Sequence, residues 1–120
     1  MKKFIASCGY AFNGLLRCYQ TQRNFRVHLL VSILAVTAAV ILDIANWQWV
    51  IICVCIALVL SAELMNTAIE KLCDHVNPGL HPQIRLIKDM AAAAVLLLSV
   101  MSVVAGAAIL IPAILKYMNS

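Results

Sequence analysis

The chain has 120 residues and a mass of 13.1 kDa; 64% of its residues are hydrophobic, 12% are charged, and the mean hydropathy is +0.97. A water-soluble domain is roughly half apolar and about a quarter charged, so this composition excludes a water-solvated globule and points to a bilayer as the solvent. Nine Lys and Arg against five Asp and Glu give a net charge of +4, but the basic residues are scattered among apolar runs, which excludes a nucleic-acid-binding surface.

Residues 1–26 read as a helix lying on the membrane surface. Phe4, Cys8, Ala11, Phe12, Leu15 and Tyr19 recur at spacings of three and four, opposite Lys3, Ser7, Asn13, Arg17 and Gln20, the pattern of an amphipathic helix. Asn13-Gly14 is the candidate interruption. Met1-Lys2-Lys3 is basic, yet the residues after it lack the solid apolar core of a cleavable signal.

Three uncharged runs follow: sixteen residues between Arg26 and Asp43, nineteen between Asp43 and Glu63, and twenty-six between Asp89 and Lys116. A membrane-spanning helix needs about 20 apolar residues, with roughly 17–25 tolerated. The expected architecture is therefore an all-α membrane protein with spans over 28–45, 48–74 and 84–116. Asn46-Trp47-Gln48-Trp49 is expected as the turn between the first two, with Trp47 and Trp49 at an interface. Pro78, Gly79 and Pro82 break the chain, so helix should resume near Ile84, and Pro112 is a candidate kink. Lys2, Lys3, Arg17, Arg23 and Arg26 precede the first span, and Lys71, Arg85 and Lys88 lie in or beside the second connection. The positive-inside rule puts both regions in the cytoplasm and the C-terminus outside, which in a bacterium means the inner membrane. Cys8, Cys18, Cys53, Cys55 and Cys73 read as reduced packing residues.

The informative run is Ser61 to Asp74. At about 100° per residue, Glu63, Asn66, Glu70 and Asp74 fall within roughly 80° of one another, and Thr67 joins their face. Measured from Trp49, Glu63 is ~21 Å and Glu70 ~32 Å along the helix, against a hydrocarbon core of ~30 Å. Glu63 is thus inside the inner leaflet and Glu70 at its edge. An ionisable side chain at such depth costs at least ~2.5 kcal/mol on insertion scales and usually faces protein or water, where it carries function. A helix-packing stripe and a proton or ion pathway are the rival readings. The other two spans carry little beyond Ser and Thr, so the stripe stops in the inner half of the membrane, which suits interfacial chemistry better than transport. Lys88-Asp89 adds a cation and a carboxylate near Glu70, and Ala91 to Ala94 permit close helix approach.

These residues resemble the prokaryotic diacylglycerol kinase and undecaprenol kinase family of small membrane lipid kinases. The resemblance runs from Tyr10-Ala11-Phe12-Asn13-Gly14 through Arg23-Asn24-Phe25-Arg26-Val27-His28 and Glu63-Leu64-Met65-Asn66-Thr67-Ala68-Ile69-Glu70 to Asp74, His81 and Lys88-Asp89. It implies three transmembrane helices plus the amphipathic surface helix, a homotrimer with active sites shared between protomers, a membrane lipid substrate, and ATP with Mg2+. By the same resemblance Glu63 is the general base for the lipid hydroxyl, Asn66 positions it, and Glu70 is a metal ligand. Lys88 and Asp89 match nucleotide-contacting catalytic positions; Lys3, Tyr10 and Gly79-Leu80-His81 match further nucleotide contacts, and Arg26 lines the lipid side. His28, His75 and His81 are each open to a structural role.

One position departs from the pattern. Gln22 stands where the family has a glutamate that serves as the second metal ligand, and a neutral carbonyl oxygen cannot supply its charge. Asp74 is the candidate substitute. The departure motivates the alternative of a catalytically impaired or accessory membrane protein of the same fold. No Gly-rich phosphate loop is present, so an ATP site would be built from carboxylate, Mg2+ and lysine.

Overall fold

The computed structural model describes all 120 residues as four helices without strands: α1 (Lys2–Thr21), α2 (Arg23–Leu42), α3 (Asn46–Val76) and α4 (Pro82–Met118). The last three are long and apolar enough to cross a membrane. Helix is the natural state of such runs, because a lipid-exposed backbone has to satisfy its own N–H and C=O groups. Only ten of 120 residues are buried within the chain, and most of its large apolar side chains face outward, a surface that is stable only in an apolar solvent or against other chains.

The first boundary differs from expectation. The segment 1–26 is not one helix, because Gln22 takes an extended conformation (φ −114°, ψ 112°) that ends α1 and starts α2. Arg26 fixes this corner: its guanidinium donates to the carbonyls of Tyr19 and Gln20 at 3.0 and 3.1 Å, supplying the last turn of α1 with donors and a favourable positive charge. Asn13-Gly14 does not interrupt α1.

The turn between α2 and α3 is tighter than the sequence suggested. Asp43 adopts the left-handed conformation at φ 50°, while Ile44 N–H donates to Ala39 and Asp43 N–H to Val40, the two bonds of a Schellman helix stop. Asn46 to Trp49 therefore form the first turn of α3 rather than a loop, with Gln48 Oε1 accepting from the Ala45 N–H at 3.0 Å. Helix also resumes earlier than Ile84. Pro82 occupies the first helical position of α4, where a missing N–H costs nothing, and His81 Nδ1 accepts from the Gln83 N–H at 3.1 Å. α4 continues through Pro112.

Ala39, Ile44, Ile52 and Ile109 form the apolar core, with Trp49 and Leu110 packed against them, at the end of the bundle where α2 turns into α3. The opposite end of α3 is left for polar side chains. All five cysteines are free. Cys18 and Cys73 are buried packing residues, whereas Cys8 and Cys53 face outward and do not fill that role.

Candidate active site

The polar stripe of α3 meets each of the other helices in turn. Glu63 is 3% exposed, the most deeply buried charged residue of the chain, and its Oε1 lies 3.2 Å from Nε2 of His28 on α2. One turn on, Thr67 is 6% exposed, and its hydroxyl accepts from the Cys18 thiol of α1 at 3.8 Å. Three turns beyond Glu63, Asp74 forms an ion pair with Lys88 of α4. The stripe thus descends from a buried carboxylate to an exposed one over eleven residues, a rise of ~17 Å.

Asn66 and Glu70 occupy the middle of this gradient and are half-buried. The Asn66 amide donates to Glu70 Oε1 at 3.2 Å, the spacing of four residues placing both on one edge of the helix. The Asn66 Oδ1 atom is buried with no partner. An orphaned buried acceptor costs about 1–3 kcal/mol, and such atoms mark places where a bound group completes the hydrogen bonding.

The remaining expected residues are distributed around this gradient. Lys3 and Tyr10 are exposed on α1, and Gly79, Leu80 and His81 are exposed in the connection before α4. That connection is shaped by an Asx turn, in which the Gly79 N–H donates to Asn77 Oδ1 at 3.0 Å. Asp89 pairs with Arg85 one turn earlier at 3.2 Å, and no ion pair or hydrogen bond joins it to the α3 stripe. Gln22 is the half-buried hinge between α1 and α2. Arg26, expected on the lipid side, has its guanidinium bonded to the last turn of α1.

Two grooves adjoin the stripe. One, of about 450 Å³, runs between α2, α3 and α4, is mainly apolar, and has His28, Ser32, Ser99 and Ser102 in its wall. The other, of about 590 Å³, separates α1 from α3 and carries Arg17 and Lys71. The partnership of His28 with Glu63 was not legible as such from the sequence. The usable signal was depth: His28 opens the first span at the same end at which the α3 stripe becomes polar.

Cys18 provides a test of how α1 sits on α3. Burial, ahead of the opposing bond to Thr67, pushes its thiol up from the ordinary range. Less thiolate therefore exists at neutral pH, and only the thiolate is the nucleophile. In purified protein at pH 7.4, a water-soluble maleimide should label Cys8 well before Cys18, as read by mass spectrometry of α1 peptides. Equal labelling rates would mean that α1 does not pack as described.

Comparison with known proteins identifies the family. Residues 9–110 match the family described as prokaryotic diacylglycerol kinase. A diacylglycerol kinase of Synechocystis sp. is 35% identical over 115 residues, 95% of this chain and 66% of that protein, so the chain spans just under two thirds of this longer relative. An undecaprenol kinase of Bacillus subtilis is 31% identical over 112 residues, covering 93% of this chain and 91% of the relative. A diacylglycerol kinase of Escherichia coli is 30% identical over 102 residues, 85% and 84% of the two chains. With a family match across most of its length and relatives at 30% identity or more covered over most of both chains, the chain belongs to the prokaryotic diacylglycerol kinase family of membrane lipid kinases.

Proposed function

We propose that this chain transfers the γ-phosphoryl group of ATP to the hydroxyl of a lipid alcohol, undecaprenol or diacylglycerol, at the cytoplasmic face of a bacterial inner membrane. The observation that carries this reading is Glu63: a carboxylate 3% exposed, paired with His28, and seven residues along one helix face from the half-buried Glu70. This spacing, ~10 Å of helix, spans the step from a greasy alcohol to a water-borne triphosphate.

In this reading Glu63 takes the hydroxyl proton as the lipid oxygen attacks the γ-phosphorus; the bond from that phosphorus to the bridging oxygen breaks, and ADP leaves with the electron pair. Asn66 holds the reactants beside Glu63. Lys88 neutralises charge on the phosphates, and Asp89, Lys3, Tyr10 and Gly79-Leu80-His81 contact the nucleotide. Lys88 rests on Asp74, whose side chain is 61% exposed, and water screens such a surface pair, so it is readily exchanged for phosphate.

The residues present fit a magnesium ion. Glu70 has only one of its carboxylate oxygens engaged, by Asn66, and the orphaned Asn66 carbonyl lies on the same helix edge. That suits Mg2+, which takes one or two carboxylates and completes its octahedron with water and phosphate oxygens. Glu70 would hold it with the Asn66 carbonyl beside it, and Gln22 is the second ligand by resemblance; when bound, the ion supplies positive charge to the transferring phosphoryl group.

The N-terminus and the connection before α4 are placed in the cytoplasm because the basic residues gather there, and α1 is placed on the membrane surface, its exposed Phe4 and Phe12 toward lipid and Lys3 and Arg17 toward water. A homotrimer with shared sites accords with the resemblance and with the outward apolar faces. The second reading, an impaired or accessory protein, is favoured by Gln22 alone.

The test presents purified protein in mixed micelles with each alcohol in parallel, with ATP and Mg2+, and identifies products by mass spectrometry. Phosphorylation of either alcohol is the expected result; intact alcohols in both arms would contradict the proposal.

A further inference from the structure

Glu63 has two carboxylate oxygens, and a base needs only one of them for the incoming proton. Its Oε1 is the atom facing His28 Nε2 at 3.2 Å, across the α2–α3 interface. A carboxylate can only accept, so this approach is attractive when the ring carries a proton on Nε2. The same imidazole also forms part of the wall of the apolar groove between α2, α3 and α4. His28 therefore adjoins both the buried carboxylate and the apolar groove.

We propose that His28 is a positioning residue for the phosphoryl transfer: its Nε2–H holds Glu63 Oε1 and so leaves Oε2 aimed at a lipid hydroxyl whose chain enters along the groove. The inference rests on the reading of Glu63 as the base. Without a donor on α2, a buried carboxylate is free to rotate, or turns toward whatever donor lies nearest. Orientation errors of about 1 Å at a reacting group can cost 10²-fold in rate. A positioning defect lowers kcat while leaving nucleotide binding intact.

The test compares His28→Gln with His28→Met in the full-length protein in mixed micelles. The two replacements are unbranched, similar in size and both good helix formers, and they differ in that glutamine retains an N–H donor. His28→Met should lower kcat by roughly 10- to 100-fold with the KM for ATP unchanged, and His28→Gln should recover most of that loss. Equal activity of His28→Met and wild type would overturn the proposal, as would equal losses in both variants, because packing volume rather than the donor would then matter. A second measurement covers the case in which His28→Met does not assemble. In wild-type protein labelled with 15N-histidine, the His28 ring, assigned by its absence in His28→Gln, should carry its proton on Nε2 and shift on Glu63→Gln; a ring protonated on Nδ1 alone overturns the proposal. If wild type phosphorylates neither alcohol, the kinase reading fails, while the nitrogen spectrum still reports on the pair by itself.

Discussion

Glu63→Gln is expected to reduce lipid phosphorylation by roughly 10²- to 10⁴-fold, the range that general-base catalysis contributes. The substitution is nearly isosteric, and the glutamine carbonyl can accept the His28 N–H in place of Glu63 Oε1. It also replaces a buried charge by a neutral amide, which removes a desolvation cost rather than adding one. Helix packing and thermal stability in detergent should therefore be unchanged or improved, and the loss should appear in kcat. A packing stripe predicts the reverse, with thermal stability altered and turnover per assembled enzyme preserved. Measuring turnover and melting on the same sample separates the two.

Gln22→Glu should lower the Mg2+ concentration that half-saturates activity by about tenfold, or roughly 1.4 kcal/mol of binding free energy. The position is the extended residue between α1 and α2, so a glutamate there meets no helix-interior constraint and fits without repacking. Its added charge supplies what the glutamine carbonyl lacks toward a hard divalent cation. The measurement is a Mg2+ titration of lipid-dependent ATP turnover in wild type and variant. An accessory protein would gain no phosphoryl transfer from this change, and an unaltered titration would remove Gln22 from the metal site.

The parts of the fold that could be read from the sequence were those governed by long-range averages. The apolar runs between Arg26, Asp43, Glu63, Asp89 and Lys116 were long enough to define α2, α3 and α4, because a bilayer imposes length and composition together. Boundaries set by single side chains were harder. No Gly or Pro announces the break at Gln22; it is held by Arg26 reaching back to two carbonyls, a contact that no periodicity encodes. Asp43 could be placed near a span end, but its left-handed conformation, which lets α3 begin at Asn46, depends on backbone bonds to Ala39 and Val40.

The same division holds at the site. Helical spacing put Glu63, Asn66, Glu70 and Asp74 on one face, and the Asn66–Glu70 contact follows from that spacing alone. Which helix meets each of them is a matter of tertiary packing. His28 against Glu63, Cys18 against Thr67 and Lys88 against Asp74 join residues 35, 49 and 14 positions apart in the chain. Sequence placed Lys88 and Asp89 together near the stripe, and only Lys88 reaches it, because Asp89 follows Arg85 around α4.

The most direct measurement follows the phosphorus itself. Proteoliposomes containing the wild-type chain, with and without a lipid alcohol, would receive ATP labelled at the γ-phosphate, with and without Mg2+. The account predicts label in the organic extract only where the alcohol and the cation are both present. Label that stays wholly in the aqueous phase under all four conditions would contradict it.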